Sequence, residues 1–172
     1  MKIELRVAGY RSSSPECFRQ IIAAVSTCNR AGIRVDFDIY GSSILHWARN
    51  KVLAKVAADT DYLVMIDDDM LVDGSADSIT RLLKNDTPVI SALCTTRTKP
   101  VQLAVKLWSD KTKEFHQMDQ LSLTRPSTGQ FGVGAAFLAL RRDVVSKLIE
   151  YHLSARDWLE DNRKVFDRMH VR

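Results

Sequence analysis

The 172-residue chain lacks most of the features that mark a specialised protein class. Its three cysteines, Cys17, Cys28 and Cys94, are odd in number and show no CxxC spacing. Neither a disulfide framework nor a structural zinc site is indicated, and small buried thiols in a reducing compartment are expected. No apolar stretch approaches the roughly 20 residues that cross a bilayer, so no membrane span is expected. The opening Met1-Lys2-Ile3-Glu4-Leu5-Arg6-Val7 has neither a signal-peptide core nor an Arg-rich transit pattern, which makes a cytoplasmic location the expectation. Charge of either sign is in short excess: 25 Lys and Arg against 21 Asp and Glu, a formal +4. No dense basic run with interleaved aromatics occurs, which argues against nucleic acid as a partner. The slight positive balance suits an anionic small molecule equally well. Glycine (7) and proline (4) are sparse, as in compact elements joined by short loops. No internal repeat or linker divides the chain. Missing too are the phosphate-binding Gly-x-x-x-x-Gly-Lys-Ser/Thr loop, the His-Glu-x-x-His zinc motif and the Gly-x-Ser-x-Gly nucleophile elbow.

What remains is ordinary globular composition, 45% hydrophobic and 27% charged, at a length that suits one domain. Strands and helices alternate along it. Ile3 to Val7 reads as a strand ending at Ala8-Gly9. Ser14 before Pro15 starts a helix that runs to about Ala31, with Gly32 just past its end. Ile33 to Ile39 is a second strand, with Val35, Phe37 and Ile39 on one face and Asp36 and Asp38 on the other. Ser42-Ser43 caps a helix from about Ile44 to Ala58, whose Leu45, Ala48, Val52 and Val56 lie at helical spacing. Tyr62 to Ile66 is a continuous apolar run, as in a strand buried on both faces. Asp73-Gly74 or Ser75 opens a third helix with Ile79, Leu82 and Leu83, and Pro88 to Leu93 forms another strand. Val101, Leu103, Val105 and Leu107 alternate as in a strand. Gly129 to Gly134 leads into a buried strand over Ala135 to Leu140, and helices over about Arg142–His152 and Ala155–Met169 close the chain. Such alternation predicts βαβ units around a mostly parallel sheet.

One motif stands out. The apolar strand stops at three consecutive carboxylates, Asp67-Asp68-Asp69. Like charges that close disfavour one another unless a cation neutralises them. The carboxyl ends of parallel strands are also where such sheets bind ligands. Hard oxygen donors select Mg²⁺, Mn²⁺ or Ca²⁺. Were strand geometry to persist, Asp67 and Asp69 would point to one side and Asp68 to the other. A solvated acidic turn capping the next helix is the plainer alternative, although one aspartate suffices as a cap. Arg49, in Trp47-Ala48-Arg49-Asn50 one element earlier, is a candidate phosphate partner.

Ala48-Arg49-Asn50, an apolar strand, then Asp67-Asp68-Asp69 resembles the nucleotide-diphospho-sugar transferase (GT-A) fold, closest to family 2-like glycosyltransferases of bacteria and phages. The strand ending in Ala8-Gly9-Tyr10, the Val89-Ile90-Ser91-Ala92 run followed by Arg97 and Pro100, and the segment from Gly132-Val133-Gly134 to Arg142-Asp143 are similar to further pieces of that family. The resemblance spans roughly residues 1–150. It implies a three-layer αβα Rossmann-like domain over residues 1–172, with a nucleotide-binding half (1–93) and a shortened acceptor-side half (94–172). It implies that Asp69 ligates Mn²⁺ or Mg²⁺ directly and that Asp67 contacts the ribose or reaches the metal through water. Asp68 and Arg49 would lie by the nucleotide sugar, Gly9, Tyr10 and Gly41 would line the base pocket, and Gly132 and Gly134 would admit the donor sugar or the acceptor. The implied activity is sugar transfer from a nucleotide-diphospho-sugar, with a UDP-sugar as donor, to an acceptor that is a glycan, lipid or protein.

The chain departs from the family in places. Tyr10-Arg11-Ser12-Ser13-Ser14 lacks the Pro-x-Tyr-Asn pattern of the opening loop. The late acidic motif that supplies a catalytic base is matched only by Glu160 and Asp161, and the late metal-binding histidine only by His170. The sequence favours reading Glu160 and Asp161 as the solvated side of an amphipathic helix carrying Trp158, Val165 and Met169, and His170 as a tail residue. Two rival functions follow. One is a nucleotide-sugar-binding module without turnover. The other is a phosphatase of the haloacid dehalogenase type, which ends a strand with Asp-x-Asp but wants Thr or Ser soon after, on its first strand. Homo-oligomerisation stays open, since a second subunit could supply what the short C-terminal half lacks.

Overall fold

The computed structural model describes residues 1–9, 15–41, 49, 52–53, 55–70, 76–92, 94–95, 105–117, 131–133 and 136–151. A five-stranded sheet in the order β2-β1-β3-β8-β4 forms its centre. Strand β1 (Lys2–Gly9) pairs in parallel with β2 (Arg34–Gly41) on one side and β3 (Tyr62–Asp67) on the other. Strand β8 (Phe137–Arg141) runs antiparallel between β3 and β4 (Val89–Ser91), so four of the five strands share one direction. The mixed α/β, mostly parallel architecture expected from the sequence is the one observed. Strand β5 (Val105–Ser109) joins β6 (Glu114–Gln117) and β7 (Phe131–Val133) in a separate antiparallel sheet, order β6-β5-β7.

Each face of the main sheet has its own apolar layer because side chains alternate along a strand. Ile3, Leu5 and Val7 of β1 and Val64 and Ile66 of β3 face α1 (Pro15–Arg30). That helix returns Cys17, Ile21, Ala24 and Cys28, spaced four, three and four apart, a single helical stripe. Helix α2 (Ser78–Leu83) adds Ile79 and Leu83 to the same layer. Leu63 and Met65 point the other way. They pack with Leu140, with Val52 from the connection between β2 and β3, and with Val145 of helix α3 (142–151). The sheet is thus sandwiched.

Helix α1 ends where the sequence says it must. Gly32 adopts φ +73°, Ile33 N–H bonds Cys28 C=O at 3.0 Å and Gly32 N–H bonds Asn29 C=O at 3.1 Å, the paired contacts of a Schellman cap. Arg49, Val52 and Leu53 are helical, within the span expected for the second helix. Other expectations need correcting. Asp73, Gly74 and Ser75, expected to open the third helix, lie outside the described residues; helix α2 has Asp77 in its cap position, and the Asp77 carbonyl takes the Arg81 N–H at 2.8 Å. The glycine-led run does not feed one strand. Val133 pairs back with Val105 while Phe137 pairs with Ile66, so the segment is shared between two sheets. Strand β6 carries a single apolar residue, Phe115, and offered no alternation to read. A tight turn with Lys113 at φ +57° brings it onto β5, with Phe115 the register partner of Trp108. Among the described residues no helix is long and apolar enough to cross a membrane.

Candidate functional site

The chain passes from β1 through α1 to β2 on one side of β1, then crosses to β3 on the other side. Helix α1 lies on one face of the sheet and Val52 of the β2–β3 connection on the opposite face. Strand order therefore reverses between β1 and β3, and such reversals leave a crevice at the carboxyl ends of the strands. Gly9 and Gly41 are register partners, and Ala8 is level with Asp67, so β2, β1 and β3 end together there. The acidic run emerges at that crevice.

Backbone bonds hold the run in place. Asp67 N–H donates to Ala136 C=O at 2.8 Å, and Asp68 N–H donates to Ala8 C=O at 3.1 Å. The ladder stops at Asp67, and Met70 N–H closes a turn onto Asp67 C=O at 3.2 Å, so strand alternation does not extend to Asp69. The three carboxylates nonetheless separate. Asp67 receives Arg49 Nη2 on both oxygens, at 2.9 and 3.0 Å. Asp68 lies against β1, where a Cβ on Gly9 would sit 2.9 Å from its Oδ2. Gly9 is thus the space the Asp68 carboxylate needs. Asp69 is exposed in the turn.

Burial pushes the Asp67 carboxyl above the usual carboxylate range, Arg49 pulls it back only in part, and the charges of Asp69 and Asp68 add to the rise. Burial likewise pushes up the Cys17 thiol, beside Asp68 and Asp69, and the Cys94 thiol, beside Asp67. Both thiols are buried.

The structure thus brings Gly9, Arg49, Asp67, Asp68 and Asp69 to one place. Gly41 shares the strand-end row, where a Cβ would meet nothing within 4 Å among the described residues. Gly132 belongs to β7, opposite Lys106 in the second sheet. Tyr10, Gly134, Glu160, Asp161 and His170 lie outside the described residues.

Among the described residues no three His, Cys, Asp or Glu side chains converge as a closed metal cage. Mg²⁺ and similar ions bind through one or two carboxylates and complete their shell with water and substrate phosphates. Asp67, paired with Arg49, and Asp69, exposed in the turn, are the carboxylates of the run that would hold such an ion.

A hollow of about 710 Å³ opens at the opposite end of the sheet, lined by Met1, Asp61, Tyr62, Asp86, Arg141, Arg142 and Asp143. Within it Arg141 forks onto Asp143 at 2.8 and 3.2 Å, and the Tyr62 hydroxyl donates to Asp86 at 2.8 Å. It lies at the wrong end of the strands for the acidic run.

A buried polar cluster behind the site escaped the sequence reading. Glu4 and Arg6 are 0% and 5% exposed on β1. Their signal was visible as charges two apart in an apolar strand, which places both on one face.

No protein-family model matches the chain, and no curated protein matches it. Among solved structures it is similar to the 4-diphosphocytidyl-2C-methyl-D-erythritol synthase of Anaerococcus prevotii. The identity is 9% and the TM-score 0.45, with 90% of this chain and 77% of that chain covered. An overlap that loose carries no argument about substrate or chemistry.

Proposed function

We propose that the chain is a metal-dependent glycosyltransferase that binds a nucleotide-diphospho-sugar, with a UDP-sugar as donor. The observation that carries this reading is the acidic run Asp67–Asp69 at the strand-order reversal, with Arg49 paired to Asp67. A bare acidic turn would need neither the reversal nor the arginine. In this reading Asp69 ligates Mn²⁺ or Mg²⁺, Asp67 touches the ribose or a metal-bound water, and Arg49 stands by the diphosphate. The ion supplies positive charge to the departing diphosphate. Asp68, fixed over Gly9, orders the floor beneath the nucleotide, and Tyr10 and Gly41 border the base. Gly132 and Gly134 serve the sugar or the acceptor. The acceptor hydroxyl's proton requires a carboxylate, and Glu160 and Asp161 are the candidates. His170 is the candidate late metal ligand.

The phosphatase alternative is disfavoured by position. The acidic run ends β3 rather than the first strand, and Met70 and Leu71 follow it where a Thr or Ser would be wanted. The test is a panel of UDP-sugars incubated with Mn²⁺, with release of UDP as the readout and p-nitrophenyl phosphate alongside. Slow UDP release from one donor, absent in Asp69→Ala, supports the transferase. Hydrolysis of p-nitrophenyl phosphate instead assigns a phosphatase. UDP binding with no release from any donor assigns a binding module.

A further inference from the structure

Hydrophobic contact is non-directional, so an apolar layer alone does not set where along the sheet a covering segment sits. The segment that carries Arg49 is held on the second face by Val52, Leu53 and Val56, which pack around Leu63 and Met65. Polar contacts fix it at both ends. At one end Arg49 meets Asp67. At the other, the Ala57 peptide is gripped from two sides. Its N–H donates to Glu4 Oε1 at 2.7 Å, and its C=O accepts from Arg142 Nη1 at 3.1 Å. The Thr60 hydroxyl donates to the same Glu4 oxygen at 2.6 Å. Glu4 Oε2 takes Arg6 Nη2 at 2.7 Å, and Arg6 reaches on to Asp36, its C=O at 2.9 Å and its Oδ2 at 3.1 Å. Both Glu4 oxygens are therefore occupied, in a side chain with no exposed surface.

A buried carboxylate is a costly way to close a chain turn unless its placement matters. Along the segment, Lys55 N–H bonds Val52 C=O and Val56 N–H bonds Leu53 C=O, so the Ala57 end is tied by backbone to the helical part. We infer that Glu4 is a positioning residue: by gripping Ala57 and Thr60 from β1 it sets the reach from which Arg49 meets Asp67. This rests on the reading above that Arg49 serves a bound anion, and it assigns to a residue at the far end of β1 a part in the strength of that binding.

The test uses Glu4→Gln and Thr60→Val in the full chain, each also made with Arg49→Met. A glutamine presents its NH₂ either to Arg6 or to the Ala57 N–H, both donors, so one contact is lost whichever way the amide turns. Thr60→Val keeps the shape and removes one donor, so it decides the matter should Glu4→Gln fail to fold. The first readout needs no ligand: the rate of guanidinium rotation of Arg49 by ¹⁵N NMR, with Arg19, paired to Glu16 on the surface, as control. Both variants are expected to speed Arg49 and leave Arg19 unchanged. The second is the affinity for UDP with Mn²⁺, expected to fall about tenfold, the low end of what outer-shell partners of a metal site contribute. With Arg49→Met already present, neither variant should weaken binding further. An Arg49 signal unchanged in both variants, or a full additional loss with Arg49→Met, would overturn the inference. Absence of UDP binding by the unmodified chain overturns the transferase reading instead, and the Arg49 signal still decides the role of Glu4.

Discussion

Gly9 leaves little room for a side chain. A methyl there would come within 2.9 Å of Asp68 Oδ2, closer than real contacts allow, so the Asp68 carboxylate would have to swing away. Gly9→Ala is expected to leave the fold intact and to weaken UDP–Mn²⁺ binding, measured by calorimetry. Asp67 makes a prediction in pH. Its carboxyl titrates above the ordinary range in the folded chain, burial being the main cause. The folded state therefore holds that proton more tightly than the unfolded state, and stability falls as pH rises from the ordinary carboxylate value through the raised one. Melting curves of the unmodified chain and Asp67→Asn across that window should show the former losing ground as pH rises. The opposite trend would mean that Arg49 outweighs burial. At this scale the acidic run and Arg49 stand out in the sequence, because charge at a strand end is a local signal, whereas the room Gly9 leaves for Asp68 is visible only in the fold. The sequence was silent on Arg49 meeting Asp67, a contact across 18 residues that only the crossing of β2 to β3 creates.

Among the elements, β2 and β1 illustrate opposite uses of charge. Strand β2 is an edge eight residues long, and exposed edges invite pairing with other chains. Two of its backbone groups are occupied by side chains. Ile39 N–H donates to Asp38 Oδ1 at 2.8 Å, and Asp36 C=O takes Arg6. Asp38→Ala would free that N–H beside the exposed Ile39, and is expected to raise self-association in sedimentation velocity. Strand β1 instead buries its charges: Glu4 holds the neighbouring segment, and Arg6 links Glu4 to Asp36 of β2. Helix α1 is the plainest element: its proline start and its glycine end were readable, and the fold adds its buried stripe. Ile21→Ala in that stripe should cost about 2–5 kcal/mol in denaturant melts, as deletions from a packed core do. Strand β6 was unreadable because one phenylalanine among polar residues carries no period. Its pairing is imposed by the turn at Lys113.

At the scale of the whole molecule, the alternation of strands and helices was enough to give a mostly parallel sheet between two layers. It was not enough to place β8. An apolar strand reads the same in either direction, and only the register Ile66 with Phe137 shows that it runs antiparallel between β3 and β4. The site follows from topology more than from any single motif: β1 sends the chain to one side, then to the other, and the acidic run lies where the two paths part. Calorimetry of UDP, with and without Mn²⁺, on the unmodified chain and on Asp69→Ala tests that claim most directly. Binding that needs Mn²⁺ and vanishes in Asp69→Ala is the result predicted here. Absence of nucleotide binding under either condition, or equal binding by Asp69→Ala, would contradict it.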